Sequence, residues 1–256
     1  MAESELPGSG RSTDPHAGPA LLSLENLHAG YGRADVLHGV NLQLAAGQSM
    51  CLVGPNGAGK STVLNAVFGL AEVHSGRITM EGVDLQGLST ATLLRDQGVA
   101  YVLQDDAVFA DLSVEQNLRL GAYLVHDTAR VREDVERVFR KHPRLASRRL
   151  ERAGVLSGGE RRSLEIARAL MMRPRLLLID EPSIGLEPIA VAQVFDQLRA
   201  LVAQGETSIL LVEQNVRQGL AFADVGCVLV DGRIVASGKG SDLLHDPAIG
   251  KMFLGS

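Results

Sequence analysis

Apolar positions along the chain follow two rhythms. Short stretches that are apolar almost throughout, at 50–53, 99–103, 176–179, 208–212 and 225–230, have the length and branched content of strands buried on both faces. Longer stretches at 61–70, 160–172, 190–203 and 216–222 read as amphipathic helices between them. In 127–141 the spacing of Val131, Val135, Val138 and Phe139 puts one apolar stripe on a helix that Pro143 is expected to end. Alternating segments at 21–27 and 36–44 predict strands separated by a turn at Gly30-Tyr31-Gly32, and 77–80 with Val83-Asp84 predicts a hairpin through Glu81-Gly82. Residues 90–96 are weakly helical. Ser113-Val114-Glu115-Gln116 resembles a capping box opening a helix to about residue 124. Asp231-Gly232 signals a tight hairpin before 233–237, and a helical tail follows.

Buried strands alternating with helices specify an α/β fold, a mostly parallel sheet covered on both faces. The alternating strands near the N-terminus add a small antiparallel β part. Residues 105–155 carry helical patterns and no strand, which predicts a helical subdomain inserted into the α/β core. One domain then spans 21–256. Residues 1–20, rich in Gly, Pro, Ser and acids, are expected to form a disordered leader. There is no internal repeat.

The chemistry concentrates in three stretches. Gly54-Pro55-Asn56-Gly57-Ala58-Gly59-Lys60-Ser61-Thr62 lies between an apolar strand and a helix with the spacing G-x-x-x-x-G-K-S. Its glycines let backbone N–H groups converge on an anion, the helix adds its positive end, Lys60 brings a full charge, and the Ser61 hydroxyl can ligate Mg²⁺. This predicts a nucleoside triphosphate site. Asp180 and Glu181 end the strand 176–179, at the sheet edge where α/β proteins bind ligands. Successive residues point opposite ways, so Asp180 is assigned to Mg²⁺, through water, and Glu181 to the attacking water. Leu156-Ser157-Gly158-Gly159-Glu160 places two glycines and a serine at the mouth of a helix, a second anion site or a plain helix-opening turn.

Composition narrows the partners. A formal net charge of −5 and a pI near 5.8 argue against an electrostatic grip on nucleic acid. Cys51 and Cys227 sit in apolar runs and read as buried thiols in a reducing compartment. No apolar stretch approaches the roughly 20 residues that span a bilayer. The expected location is therefore cytoplasmic, with membrane association only through a partner.

Taken together, 54–62, Gln104, 156–160 and 176–181 resemble the ATP-binding-cassette (ABC) ATPases over nearly everything after residue 20. The resemblance implies ATP and Mg²⁺ as ligands and a head-to-tail dimer in which each Ser157-Gly158-Gly159-Glu160 loop closes on the partner's phosphate loop. It implies that Tyr31 stacks on adenine, although an aromatic in a turn needs no such role. It further implies that Gln104 reaches Mg²⁺ and couples the helical subdomain to nucleotide. Ala29-Gly30-Tyr31-Gly32, the 180–186 loop, Leu211-Val212-Glu213-Gln214-Asn215 and Leu243-Leu244-His245-Asp246-Pro247 with Phe253-Leu254-Gly255 are similar to the LivF-type branch serving branched-chain amino acid importers. Relatives of that branch serve urea or short amides. The implied partners are a second cassette (identical or LivG-like), membrane permease subunits on the inner face of the cell membrane and, indirectly, a solute-binding protein.

Two positions depart from the family pattern. Gln214 stands where most cassettes place a histidine that senses the γ-phosphate; an amide can donate a hydrogen bond but cannot become cationic. Glu187 stands where Asp or a small residue is usual, and is expected to weaken ATP-free association. Arg144, Arg148, Arg149, Arg152, Arg161 and Arg162 read as a solvated face or as a rim toward the membrane partner. The alternatives to a transport ATPase are a soluble non-transport cassette, for which no linked second cassette is visible, and a non-catalytic regulatory cassette, against which the paired acids stand.

Overall fold

The computed structural model of the protein describes residues 20–104 and 107–254; the expected leader, except Ala20, and Gly255 of the C-terminal stretch lie outside them. The chain opens with a long hairpin, β1 (Ala20–Tyr31) and β2 (Ala34–Ala45), whose alternating apolar residues face inward. β3 (Ser49–Val53) is buried at every position and leads through the glycine-rich loop into α1 (Lys60–Val67). β4 (Glu72–Met80) and β5 (Val83–Asp84) follow, then the short α2 (Thr90–Thr92), a wider-wound turn over Leu93–Gln97, and β6 (Val99–Val102).

Helices then replace strands: α3 (Val114–Gly121), α4 (Thr128–Lys141), α5 (Pro143–Ser147) and α6 (Gly158–Ala169). β7 (Leu176–Asp180), α7 (Pro188–Ala203), β8 (Ser208–Glu213), α8 (Val216–Phe222), β9 (Val225–Val230), β10 (Arg233–Lys239), α9 (Gly240–Leu244) and α10 (Pro247–Ile249) follow, and a wider-wound helical segment over Gly250–Leu254 ends the described residues.

Two sheets result. An antiparallel one runs β2-β1-β4-β5, and a larger one runs β10-β9-β3-β8-β7-β6, parallel except for the β9–β10 hairpin. Because β3, β6, β7 and β8 are parallel, all their C-terminal ends lie along one edge. Register aligns them: Val53 pairs with Glu213, Asp180 with Val212, and Val102 with Ile179. One face of the large sheet packs with the small sheet around Leu22, Leu52, Leu64 and Leu229; the other packs on α7 and α8 around Phe195, Leu198 and Leu220. Cys51 and Cys227 are free and buried, as their apolar settings predict.

The helical layer has its own core of Val114, Leu118, Val135, Phe139 and Leu145, joined by Leu164 and Ala167 from α6. The Ser113 capping box forms, its hydroxyl accepting from the Gln116 N–H while the Gln116 side chain accepts from the Ser113 N–H. Asp127 caps α4 by accepting from the Ala129 and Arg130 N–H groups. Three local expectations change. Gly30 and Tyr31 belong to β1, and the turn sits at Gly32-Arg33, because both residues still pair with Asp35 and Ala34. Pro143 does end α4, but it also starts α5 at the first helical position, where a missing N–H costs nothing. Residues 90–97 split between α2 and the wider turn, with Ser89 capping the start and Gly98 at φ 68° closing it.

Candidate functional site

The glycine-rich loop leaves β3 at Gly54, where a Cβ would lie 2.1 Å from the Leu229 carbonyl oxygen, so no other residue fits. Gly57 and Gly59 take φ of 80° and 98°, folding the loop back over the start of α1. Gly59 is the N-cap and offers no side chain, so the first N–H groups of α1 remain free for an anion. Lys60 is buried, 5% exposed. Its Nζ donates to the carbonyls of Gly54 at 3.0 Å and Pro55 at 3.1 Å, and lies 3.9 Å from Glu181 Oε1.

The acids at the end of β7 do take different partners. Asp180 Oδ2 accepts from the Tyr101 hydroxyl at 3.3 Å, and the Ser61 hydroxyl lies close to this carboxylate. Asp180 Oδ1 is buried with no partner. Burial raises the Asp180 pKa above the ordinary carboxylate range, against the Ser61 and Tyr101 hydroxyls and the charge of Lys60. Glu181 is held at φ 44°, its N–H bonded to the Val212 carbonyl at 2.9 Å, a conformation rare for a side-chain-bearing residue. Burial raises its pKa too; Lys60 opposes the shift and Asp180 adds to it. On β8, buried Glu213 accepts from the N–H groups of Ser183 at 3.1 Å and Asn215 at 3.2 Å, tying the loop after β7 to the one carrying Gln214.

A cavity of about 420 Å³ at this edge is lined by Asn56, Lys60, Ser61, Gln104, Glu181 and Gln214. Four separate stretches of chain therefore meet in one hollow. Ser157 and Glu160 lie elsewhere, closed on one another at the start of α6: the Ser157 hydroxyl donates to Glu160 Oε2 at 2.8 Å and accepts from the Glu160 N–H at 3.3 Å. Gly158 lines an adjoining hollow of about 190 Å³ with Gln104, Arg161, Arg162 and Gly185. Glu187 is exposed at the N-cap of α7 and makes no side-chain cap bond.

Several residues here escaped sequence reasoning. Arg162 is buried, not part of a solvated face. Its guanidinium donates to the carbonyls of Leu103 at 2.9 Å and Gln104 at 2.8 Å and pairs with buried Glu165 at 2.7 Å, while Glu165 accepts from the Ala107 N–H at 2.7 Å. The Gln104 loop is thus strapped to α6. Arg148 and Arg149 are likewise ion-paired inside the helical layer, to Glu160 and to Glu115 and Glu136. Tyr31, half exposed at the end of β1, accepts from Asn65 Nδ2 at 2.8 Å. Asn65 Oδ1 in turn faces the Tyr101 hydroxyl at 3.1 Å. A polar chain therefore runs Tyr31–Asn65–Tyr101–Asp180. The alternation of polar and apolar positions around Asn65 and Tyr101 gave no hint of it.

A phosphate loop at the head of a parallel sheet, with paired carboxylates on the strand beyond the intervening β8, makes this a nucleotide-binding α/β protein of the phosphate-loop class. The ABC transporter family model matches residues 37–184. Curated relatives include BraG, a high-affinity branched-chain amino acid transport ATP-binding protein of Pseudomonas aeruginosa, 41% identical over 92% of this chain and all of that one. LivF of Archaeoglobus fulgidus, a probable branched-chain amino acid transport ATP-binding protein, is 37% identical over 92% of this chain and 99% of its own. The lipopolysaccharide export protein LptB of Escherichia coli K12 is 32% identical over 92% and 98%. Among solved structures, an ATP-binding cassette of an ABC transporter in its ADP conformation superposes with a TM-score of 0.81 at 27% identity, covering 93% of this chain and all of that one. The chain belongs to the ABC transporter family, as one of its ATP-hydrolysing cassettes.

Proposed function

We propose that this cassette energises the import of branched-chain amino acids, or of a related small polar solute, from the cytoplasmic face of a membrane permease. The observation that carries the site is the single cavity shared by Lys60, Ser61, Gln104, Glu181 and Gln214. The free N–H groups of the 54–60 loop take the triphosphate. Lys60 leaves the Gly54 and Pro55 carbonyls for the outer phosphates. Glu181, fixed by its backbone and its contact with Lys60, orients and polarises the attacking water. Gln214 donates a hydrogen bond to the γ-phosphate, and Tyr31 packs on the base. The residues also fit Mg²⁺: Asp180 Oδ1 is a buried oxygen lacking a partner beside the Ser61 hydroxyl, and Gln104 lines the same hollow. When bound, the ion neutralises charge that develops on the phosphates. Ser157, Gly158, Gly159 and Glu160 serve the nucleotide of a second cassette, an identical or LivG-like chain, since they line no part of this chain's own phosphate cavity.

Among the described residues no helix is long and apolar enough to cross a membrane, so contact with the bilayer goes through permease subunits. A groove of about 470 Å³ between β6 and α3, lined by Leu103, Phe109, Leu120, Tyr123 and Arg168, continues from the Gln104 loop and suits an apolar permease segment. The import reading rests on similarity to BraG and LivF over essentially the whole of both proteins. The test is co-purification with the permease and reconstitution in vesicles. Leucine, isoleucine or valine with its binding protein should stimulate ATP hydrolysis, and Glu181→Gln should bind ATP while turnover falls by about 10²–10⁴-fold. Hydrolysis surviving in that variant refutes the assigned base; stimulation by none of the three solutes refutes the import of branched-chain amino acids.

A further inference from the structure

Away from the nucleotide cavity, the small antiparallel sheet gathers chemistry that ATP hydrolysis does not use. The chain has seven histidines, and three of them, His28, His38 and His74, converge with Asp35 beside the tip of the β1–β2 hairpin. His28 and His38 are directly opposed cross-strand partners, their rings 6.4 Å apart edge to face. Directly opposed residues keep their Cβ atoms about 5 Å apart on a rigid frame, which holds two imidazoles ready for one ion. Asp35 joins them from the same hairpin, its Oδ2 3.3 Å from His28 Nδ1. One donor atom each from His28, Asp35 and His38 lies within 4.8 Å of the other two.

The fourth residue supplies what a ligating carboxylate needs behind it. His74 Nδ1 lies 2.5 Å from Asp35 Oδ1, and its Nε2 lies 3.0 Å from the Gly32 carbonyl and 3.7 Å from Glu72 Oε2. His74 is thus clamped at both nitrogens and holds one carboxylate oxygen, turning the other toward His28. Such outer partners are the usual support of a metal ligand.

We propose that His28, Asp35 and His38 form a binding site for a divalent transition metal of the Zn²⁺ type, with His74 as a positioning residue and water in the remaining coordination place. Two imidazoles and one carboxylate are donors that suit Zn²⁺, Co²⁺ or Ni²⁺, whereas Mg²⁺ and Ca²⁺ demand oxygen. Metal–nitrogen bonds of about 2.0–2.1 Å require the donors to close in by roughly an ångström, a side-chain rotation that these half-buried groups can make. The bound ion pins β1 to β2 next to Tyr31 and stiffens that hairpin. The site stands apart from the nucleotide chemistry proposed above, so its test needs no ATP.

The experiment is calorimetric titration of the untagged, nucleotide-free full chain with Zn²⁺, with Co²⁺ absorption as a second measure. One equivalent of Zn²⁺ should bind in the presence of excess Mg²⁺ and raise Tm, and Co²⁺ should give the intense visible bands of four-coordination. His28→Ala and His38→Ala should abolish the bound equivalent. His74→Ala should weaken it by roughly 10–100-fold, and exposed His126→Ala should leave it unchanged. Equal binding in the His28→Ala/His38→Ala pair overturns the site, as does a Co²⁺ spectrum that is absent or carries thiolate charge-transfer bands from Cys51 or Cys227. Should a variant fail to fold, the Co²⁺ spectrum of the parent chain decides.

Discussion

Replacing Arg162 by alanine tests how the nucleotide cavity is tied to the helical layer. The Arg162 and Glu165 side chains are only 7% and 3% exposed, so their ion pair is effectively internal. Removing one partner of such a pair costs about 3–5 kcal/mol; Glu165 still accepts from the Ala107 N–H and keeps the nearby charge of Arg168, which places the loss at the lower end of that range. The carbonyls of Leu103 and Gln104 lose their guanidinium donors as well, but both residues are exposed, so water replaces those bonds and the cost stays near the ion-pair figure. Equilibrium urea unfolding followed by circular dichroism should therefore show a loss toward the lower end of about 3–5 kcal/mol for Arg162→Ala. The double variant Arg162→Met/Glu165→Met, which removes both charges and keeps the volume, should recover most of it. Amide exchange should accelerate in the 103–104 and 107 segment in both, because the strap is gone in either case. A loss under about 1 kcal/mol in the single variant, or a double variant no better than the single, refutes the reasoning.

The polar chain behind Asp180 makes a second prediction. Tyr101→Phe removes the hydroxyl bonded to a buried carboxylate, a bond worth about 1.5–3 kcal/mol, so Mn²⁺ binding to the nucleotide complex, read by electron paramagnetic resonance, should weaken by at least about tenfold. Nucleotide affinity without metal should not move, and unchanged Mn²⁺ binding refutes the role. Gln214→Ala should slow steady-state hydrolysis with ATP affinity nearly intact, since one neutral hydrogen bond is lost; an unaltered rate counts against it. Glu115 is held below its ordinary carboxylate value chiefly by the hydrogen bond from Arg149, against burial, with Arg119 adding to the effect. A lowered folded-state pKa means stability present above the ordinary value and lost as pH falls through the lowered one. Arg149→Met should accordingly cost about 1 kcal/mol at neutral pH and progressively less in acid, as measured by urea unfolding at both pH values. A cost independent of pH refutes the pairing.

What the sequence disclosed and what it withheld divide by range of interaction. The phosphate loop, the Ser113 capping box, the helix-opening turn at Ser157 and the Glu81-Gly82 and Asp231-Gly232 turns are written in neighbouring residues, because each is a hydrogen-bond or φ requirement met within a few positions. The parallel strands of the large sheet were legible because burial on both faces makes them apolar almost throughout. The parallel order then places Gln104, Asp180, Glu181 and Gln214 on one edge without further information. The Arg162–Glu165 strap was not legible: a charged pair three apart on a helix looks solvent-facing until the Gln104 loop closes over it. Nor was Tyr101, whose ring fits a strand pattern while its hydroxyl serves a residue 79 positions away. The extension of β1 through Gly30 and Tyr31 was hidden for the same reason, since its pairing partners lie on β2 and β4.

The posture of Lys60 changes how its own mutants must be interpreted. The Lys60 ammonium serves as an internal plug, satisfying two carbonyls of the very loop whose N–H groups face phosphate. Triphosphate therefore enters by exchange, displacing a ligand the protein already holds. Lys60→Met would take away a phosphate contact and, at the same stroke, remove the Gly54 oxygen's ammonium donor and leave the Pro55 oxygen to the Ala58 N–H. Any drop in affinity then mixes a weaker grip with an altered starting state, so it overstates or understates the charge–charge attraction depending on how that loop relaxes.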